Sequence, residues 1–429
     1  MLRRKILDQL RQWLHEPERR PLIVEGPPRV GKTTAVRALG EQQPGFLEIN
    51  LKEDAEAGLL FEGAVKPETF LAAVRLRHPG LPESGRLLIF LDELQSCPAA
   101  IAALGKLGHD SRYDLIAAAR GPLTPGEGAD WLFMTSLDFE EFLWALGVDE
   151  EIPLLLLTCF ARREPVPPAI HAEVMRLLRI YLCVGGLPEA VNAYLPERDL
   201  RAADTALRQL LRRLLSGISQ AAPPELAQKA RQCYEALPRQ LTGDNHKFRY
   251  SVVEDKGTAR KFGRSLQWLE SAHLTVPVRA VSAVSFPLKA QEKKDSFRLY
   301  PHDVGLLTCR YDFSLKEALA GGGTDAAALL LRGVQDGLWE ALAADILYKH
   351  GYRDLHFYRS PSGTVECAFL LARPGGLLPV EVSPSRSISR SLTMILEKFS
   401  LPYGYRLMDR NVSVDGKKII LPPYMLLFV

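Results

Sequence analysis

Long apolar runs are scarce in this sequence. The longest, Ile152 to Phe160 in EIPLLLLTCF, is about half of the roughly 20 residues that a membrane-spanning helix needs, so no membrane association is expected. Paired cysteines are missing: the residues at 97, 159, 183, 233, 309 and 367 stand far apart with no Cys-x-x-Cys. Neither a zinc ribbon nor a disulfide framework is indicated, and a reducing, cytoplasmic compartment is expected. Charge of one sign is not in excess, because 54 Lys plus Arg against 51 Asp plus Glu give a formal net charge of +3. That is too little to imply a nucleic-acid partner from bulk charge, so any such claim has to come from a local patch. Internal repeats and low-complexity tracts are absent as well. The basic N-terminal stretch MLRRKILDQLRQWLHEPERR has charges interrupting its apolar positions, so it lacks a signal-peptide core and reads as an amphipathic helix.

What is present is an ordinary globular composition, 47% hydrophobic and 24% charged, over 429 residues. At roughly 100 to 200 residues per domain this predicts two to four domains. Residues 1–150 alternate short apolar strands (Pro21 to Glu25, Phe46 to Asn50, Leu87 to Leu91, Asp114 to Ala119) with helical stretches, which predicts an α/β domain with a mostly parallel sheet. Residues 151–222 are nearly all helical, with Ala172 to Leu182 and Leu200 to Ser219 at helical period. Residues 223–320 mix helices with β-like runs at Leu274 to Val278 and Phe297 to Tyr300, a mixture that suits a winged helix. After the Gly321 to Thr324 punctuation, residues 321–429 carry a helix around Asp336 to Lys349 and then several strands.

The strongest motif is Gly26-Pro27-Pro28-Arg29-Val30-Gly31-Lys32-Thr33, a G-x-x-x-x-G-K-[ST] match between the strand PLIVE and the helical TTAVRALG. Glycines let backbone N–H groups wrap phosphates, Lys32 supplies a charge for the β and γ phosphates, and the Thr33 hydroxyl is placed to ligate Mg²⁺. Pro27 and Pro28 lack N–H groups but leave the donors from Val30 to Thr33 available. The nucleotide-binding set is therefore Gly26, Val30, Gly31, Lys32, Thr33 and Thr34. The run Arg86-Leu87-Leu88-Ile89-Phe90-Leu91-Asp92-Glu93 is an apolar strand ending in two carboxylates. Following a phosphate loop, Asp92 is expected in the Mg²⁺ shell and Glu93 is expected to orient and deprotonate the attacking water. No Asn-Lys-x-Asp guanine motif occurs, so ATP is the expected nucleotide.

The ordered set RRPLIVEGPPRVGKT, LIFLDELQSCP, LDFEEFLWALG, YLCVGGLPEAV and FRLYPHDVGLL resembles the prokaryotic AAA-type ATPases, related to signal-transducing ATPases, that carry a C-terminal domain akin to PD-(D/E)xK nucleases. The resemblance implies a P-loop core (1–150), a helical lid (151–222), a winged helix (223–320) and a nuclease-like α/β domain (321–429). It also implies that Pro188, in Gly186-Leu187-Pro188, packs near adenine; from the residues alone Gly185-Gly186 followed by Pro188 is a turn ending a helix, and both readings stand. After the strand YDLIA the family has a small polar pair, where this chain has Ala118-Ala119-Arg120-Gly121. Arg120 in place of a neutral sensor is expected to slow hydrolysis, unless it stabilises phosphate charge itself.

Between Arg239 and Arg264 lie seven basic residues (Arg239, Lys247, Arg249, Lys256, Arg260, Lys261, Arg264) and three acidic ones (Asp244, Glu254, Asp255). The helix ARKFGRSLQWLESAHL puts Phe262, Leu266 and Leu269 on one face and Arg260, Lys261 and Arg264 nearer the other, as a DNA recognition helix does. The alternative is a solvated face on a module that docks against the ATPase.

In the C-terminal region the resemblance implies a metal site of a helix Glu, a strand Asp and a Glu-x-Lys. The chain offers Glu340, then Ala368 or a shifted Glu366 where the Asp belongs, then Glu381 with Ser383 in the lysine's place. A lost carboxylate and a lost lysine remove metal affinity and water activation, so a nuclease-like fold without nuclease activity is expected. The leading expectation is a slow, Mg²⁺-dependent ATP switch whose winged-helix and degenerate nuclease-like domains read out nucleotide state to a protein partner; a homo-oligomer is the other assembly left open. A DNA- or RNA-stimulated ATPase and an ATP-gated nuclease are the alternatives.

Overall fold

The computed structural model describes all residues except 55, 64, 122, 124–127, 243–245, 322–332 and 384–389. The expected punctuation at Gly321 to Thr324 falls outside the described residues from 322 onward, as does Asp244 of the basic stretch. Two compact units result, one made of Met1–Ser136 with Ser271–His273, the other of Leu137–Glu270 with Leu274–Val429.

The first unit is built on five parallel strands, β1 (Leu22–Glu25), β2 (Phe46–Asn50), β3 (Leu87–Asp92), β4 (Tyr113–Ala119) and β5 (Asp130–Phe133), in the order β2-β3-β4-β1-β5. Every residue of β3 and β4 is buried. That explains why both read as continuous apolar runs instead of alternating ones: a parallel sheet covered on two faces has no polar side. Helices α1 (Ile6–His15), α2 (Lys32–Gly40), α3 (Pro67–Arg77) and α4 (Pro98–Leu107) complete the layers. The amphipathic reading of the N-terminus holds, with Ile6, Leu7, Leu10 and Trp13 forming the buried face of α1. The core on one side of the sheet gathers Phe61, Phe70, Val74, Ile89, Leu91, Leu104 and Ala117. Burying each of the larger of these side chains contributes about 2–3 kcal/mol before conformational entropy is counted. Asp92 belongs to the strand, one residue beyond the apolar run, because its backbone pairs with Asn50 of β2.

The second unit begins with helices α5 (Phe139–Ala145), α6 (Glu151–Arg162), α7 (Pro168–Val184), α8 (Pro188–Tyr194), α9 (Leu200–Ala221) and α10 (Pro224–Glu235). α5 starts at a capping box: the Asp138 carboxylate accepts from the Glu141 N–H at 2.8 Å, and the Glu141 carboxylate accepts from the Asp138 N–H at 3.1 Å. After helix Ala259–Ser271 comes an antiparallel hairpin of β6 (Thr275–Val281) and β7 (Glu292–Pro301), both longer than the apolar runs at 274–278 and 297–300. On β7 the added residues Glu292 to Ser296 are polar and lie outside the core, where hydropathy carries no signal, whereas β6 continues past the polar Arg279 to the buried Ala280 and Val281.

β6 also pairs in parallel with β8 (Leu355–Arg359), and β8 with β9 (Glu366–Cys367), giving a four-stranded sheet in the order β7-β6-β8-β9. One sheet therefore draws strands from both sides of position 321. A second sheet holds β10 (Phe369–Arg373), β11 (Gly376–Val382), β12 (Gly404–Leu407), β13 (Ser413–Asp415) and β14 (Lys418–Leu421) in the order β10-β11-β12-β14-β13. Helix Gln335–Lys349 is buried along most of its length. No described helix is long and apolar enough to cross a membrane.

Candidate functional site

Residues 26–31 join the C-terminal end of β1 to the first turn of α2. Gly31 caps that helix at φ +100°, a left-handed conformation that costs a residue with a Cβ considerably more than glycine. The Lys32 side chain folds back into the loop, its ammonium donating to the Gly26 carbonyl at 2.9 Å and the Pro27 carbonyl at 2.7 Å. Burial, aided by the nearby positive Arg120, pushes its pKa down to about 7 against the pull of Glu93, Asp92 and Glu25. The Val30 side chain is fully buried, while Thr34 is exposed on the first turn of α2.

The Thr33 hydroxyl donates to Asp92 Oδ2 at 3.0 Å, and Asp92 Oδ1 accepts from the Glu93 N–H at 2.9 Å. Burial raises the Asp92 pKa although both hydrogen bonds oppose it. A hydroxyl and a partly desolvated carboxylate side by side form a hard-oxygen pair at a helix N-terminus, and this donor set suits Mg²⁺. Thr33 and Asp92 are the residues that would hold it.

Glu93 turns away from the strand at φ +56°. Its carboxylate forms an ion pair with the Arg120 guanidinium and accepts from Gln95 Nε2 at 2.7 Å. Gln95 closes the triangle, its Oε1 accepting from the Arg120 N–H at 3.0 Å. Arg120 Nε is buried without a hydrogen-bond partner among the described residues. Two participants carried no motif signal. Gln95 lies just past the Asp92-Glu93 strand end, and Arg4 lies far upstream in sequence, yet its guanidinium donates to Val30 O at 2.8 Å and Thr135 O at 2.6 Å, bracing the phosphate loop from behind.

Pro188 lies in the second unit, half-buried at the first position of α8. The turn before it is tightly held. A Cβ on Gly186 would meet Leu137 O at 1.9 Å, and the Gly186 N–H donates to Asp303 Oδ2 at 2.9 Å. Asp303 in turn contacts the buried Lys349 ammonium at 3.2 Å, which also pairs with Asp345 at 2.9 Å.

On helix Ala259–Ser271, Phe262, Leu266 and Leu269 are buried, while Arg260, Lys261 and Arg264 are exposed. Lys261 is paired with Glu254 at 2.5 Å. In the C-terminal region Glu340 Oε2 contacts Arg298 Nη1 at 3.0 Å, Tyr300 Oη at 3.0 Å and His246 Nδ1 at 2.8 Å. Glu381 Oε2 is 3.4 Å from Arg406 Nε, and Ser383 accepts from Arg406 Nη2 at 3.3 Å. Ala368 is buried and offers no ligand atom. Among the described residues no group of three or more His, Cys, Asp or Glu is arranged to hold a metal ion.

With the phosphate loop, the Thr33–Asp92 contact and the parallel sheet in view, the family comparison concerns the first unit: residues 18–119 match a family described as an AAA domain. Over that stretch the chain is similar to P-loop, AAA-type ATPases. The match runs from just before β1 to the end of β4, so it includes Lys32, Thr33, Asp92 and Glu93 and stops one residue short of Arg120. Residues 175–317 match a second family, described as a domain of unknown function (DUF8612). The chain is similar to a Walker-type ATPase of Pyrococcus abyssi at 15% identity and a TM-score of 0.41, over 72% of this chain and 95% of that one. No curated protein matches it.

Proposed function

We propose that the chain is a slow molecular switch: it binds ATP with Mg²⁺ at Gly26–Thr34, hydrolyses it with Glu93 as the base, and reports nucleotide state to a protein partner. The single observation that carries this is the Arg120–Glu93 ion pair beside a complete phosphate loop. A carboxylate oxygen held in a charge-assisted hydrogen bond to a guanidinium has its acceptor site occupied and is not aimed at a water. Hydrolysis then requires Arg120 to let go of Glu93, and the γ-phosphate is the natural competitor for that guanidinium.

Bound Mg²⁺ would neutralise charge developing on the phosphates. The protein's own part is to seat the phosphates with backbone donors and Lys32, to hold Thr33 and Asp92 toward the cation, and to release Glu93 to the water. Pro188 serves the adenine in this reading, with α6–α9 as the lid. The second unit, containing the winged-helix and nuclease-like regions, carries the output.

The deciving experiment pairs two variants. Lys32→Ala removes nucleotide binding; Glu93→Gln keeps binding and stops turnover. Equal loss of binding in both would overturn the assignment. A nucleic-acid-stimulated ATPase is favoured by one observation, the exposed Arg260 and Arg264 on the outer face of helix Ala259–Ser271. Under that reading DNA or RNA raises ATPase activity several-fold, with a steep salt dependence; under the switch reading it leaves the rate unchanged.

A further inference from the structure

The carboxylates of the C-terminal region are not idle. Arg298, 1% exposed at its side chain, lies on β7 and reaches Glu340 on helix Gln335–Lys349 with Nη1 at 3.0 Å and Glu366 on β9 with Nη2. Arg359 Nε lies 3.3 Å from the other oxygen of Glu366. Two carboxylates thus face two guanidiniums. Glu340 is further fixed by Tyr300 and His246, at 3.0 and 2.8 Å. Burial alone would raise the Glu340 pKa, but Arg298, His246 and Tyr300 outweigh it and hold it below the ordinary range. Around Glu381 the same substitution recurs. Arg406, opposite Glu381 in the parallel register of β11 and β12, stands over both Glu381 and Ser383.

We propose that Arg298 is an internal cation that takes the place a divalent metal would need between Glu340 and Glu366, turning a nuclease-like carboxylate site into a metal-free ionic joint. The residues present do not fit a metal. A dication entering the cluster would bring two more positive charges next to guanidiniums that never lose their protons near neutral pH. The expected strand carboxylate is Ala368, and the charge expected from a lysine at 383 comes from Arg406, which cannot serve as a base. What the cluster does instead is fasten four segments: the loop at His246, β7 with Arg298 and Tyr300, the helix with Glu340, and β8–β9 with Arg359 and Glu366. This inference is independent of the ATP-switch reading, since it uses no residue of the phosphate loop.

The test uses the full chain without nucleotide, probed with Mn²⁺ by electron paramagnetic resonance and by thermal melting. Wild type and Glu340→Gln are expected to bind Mn²⁺ equally, because no site depends on Glu340. Arg298→Met is expected to lower Tm by on the order of 10 °C, and adding Glu340→Met to it restores part of the loss, because a buried pair replaced on both sides leaves no unpaired charge. Mn²⁺ binding in wild type that Glu340→Gln removes would overturn the proposal. So would an Arg298→Met protein that melts like wild type. If Arg298→Met does not fold, Arg298→Lys decides: a point charge that cannot bridge two carboxylates gives an intermediate Tm if the joint is real, and a wild-type Tm if it is not.

Discussion

Arg120 and Glu93 extend from neighbouring strands, β4 and β3, and meet in an ion pair at the edge of the phosphate loop. Substituting Arg120→Ser, which restores a small polar group there, is expected to raise kcat about three- to tenfold with little change in KM, corresponding to roughly 1 kcal/mol less to break before Glu93 acts. Steady-state kinetics check this. A kcat below that of wild type would make Arg120 a stabiliser of phosphate charge instead of a restraint.

Lys32 gives a pH dependence. Its ammonium pKa is pushed from 10.5 to about 7 by burial and by Arg120. Phosphates favour the charged form, so above pH 7 binding must take up a proton. Affinity is then constant below pH 7 and weakens by up to about tenfold per unit above it. Calorimetry of ATP binding at pH 8, in buffers of different ionisation heat, should show uptake approaching one proton, and less uptake in Arg120→Ser.

The Thr33–Asp92 contact separates nucleotide from cation. Thr33→Ala and Asp92→Asn are each expected to raise the Mg²⁺ concentration needed for half-maximal ATPase activity by about tenfold or more, while leaving metal-free nucleotide binding within about threefold. Titrating Mg²⁺ against activity, beside binding in EDTA, measures both. Equal effects on the two would mean that these residues shape the loop and do not hold the ion.

Gly186 has no room for a side chain, because its position would place a Cβ 1.9 Å from Leu137 O. Gly186→Ala is expected to cost about 1–3 kcal/mol through forced backbone movement and to lower Tm by several degrees. The neighbouring half-buried Glu189, whose solvent-facing carboxylate pairs with Arg213 at 2.9 Å, supplies the control: Glu189→Ala should melt within about a degree or two of wild type.

How legible this was depended on sequence separation. β1 and β3 could be placed within a residue or two because their buried runs are apolar without interruption and end at Gly26 and Asp92, while β2, with Glu48 in its middle and only Ile49 buried, is the least regular of the four. The phosphate loop was legible because its chemistry is local: glycine, lysine and threonine act within one turn. Arg120 could be recognised as a departure, but its pairing with Glu93, 27 residues earlier, depends on β3 and β4 being neighbours. Arg298 gave no signal at all. Its partner Glu340 lies 42 residues away, and a lone charged residue within the run Phe297 to Tyr300 reads as the solvated face of a strand until the fold buries it. Gln95 and Arg4 were missed for the same reason.

The sheet that joins β6 to β8 sets a limit on dissection. A chain cut after residue 320 would keep the β6–β7 hairpin but strip the parallel partner from residues 278–281 of β6. Those residues are nearly all buried, so the cut would leave a bare, apolar edge of unpaired N–H and C=O groups, the template on which strands of separate molecules assemble. The shorter piece is therefore expected to aggregate, and the last hundred residues act as the cover that keeps the hairpin soluble.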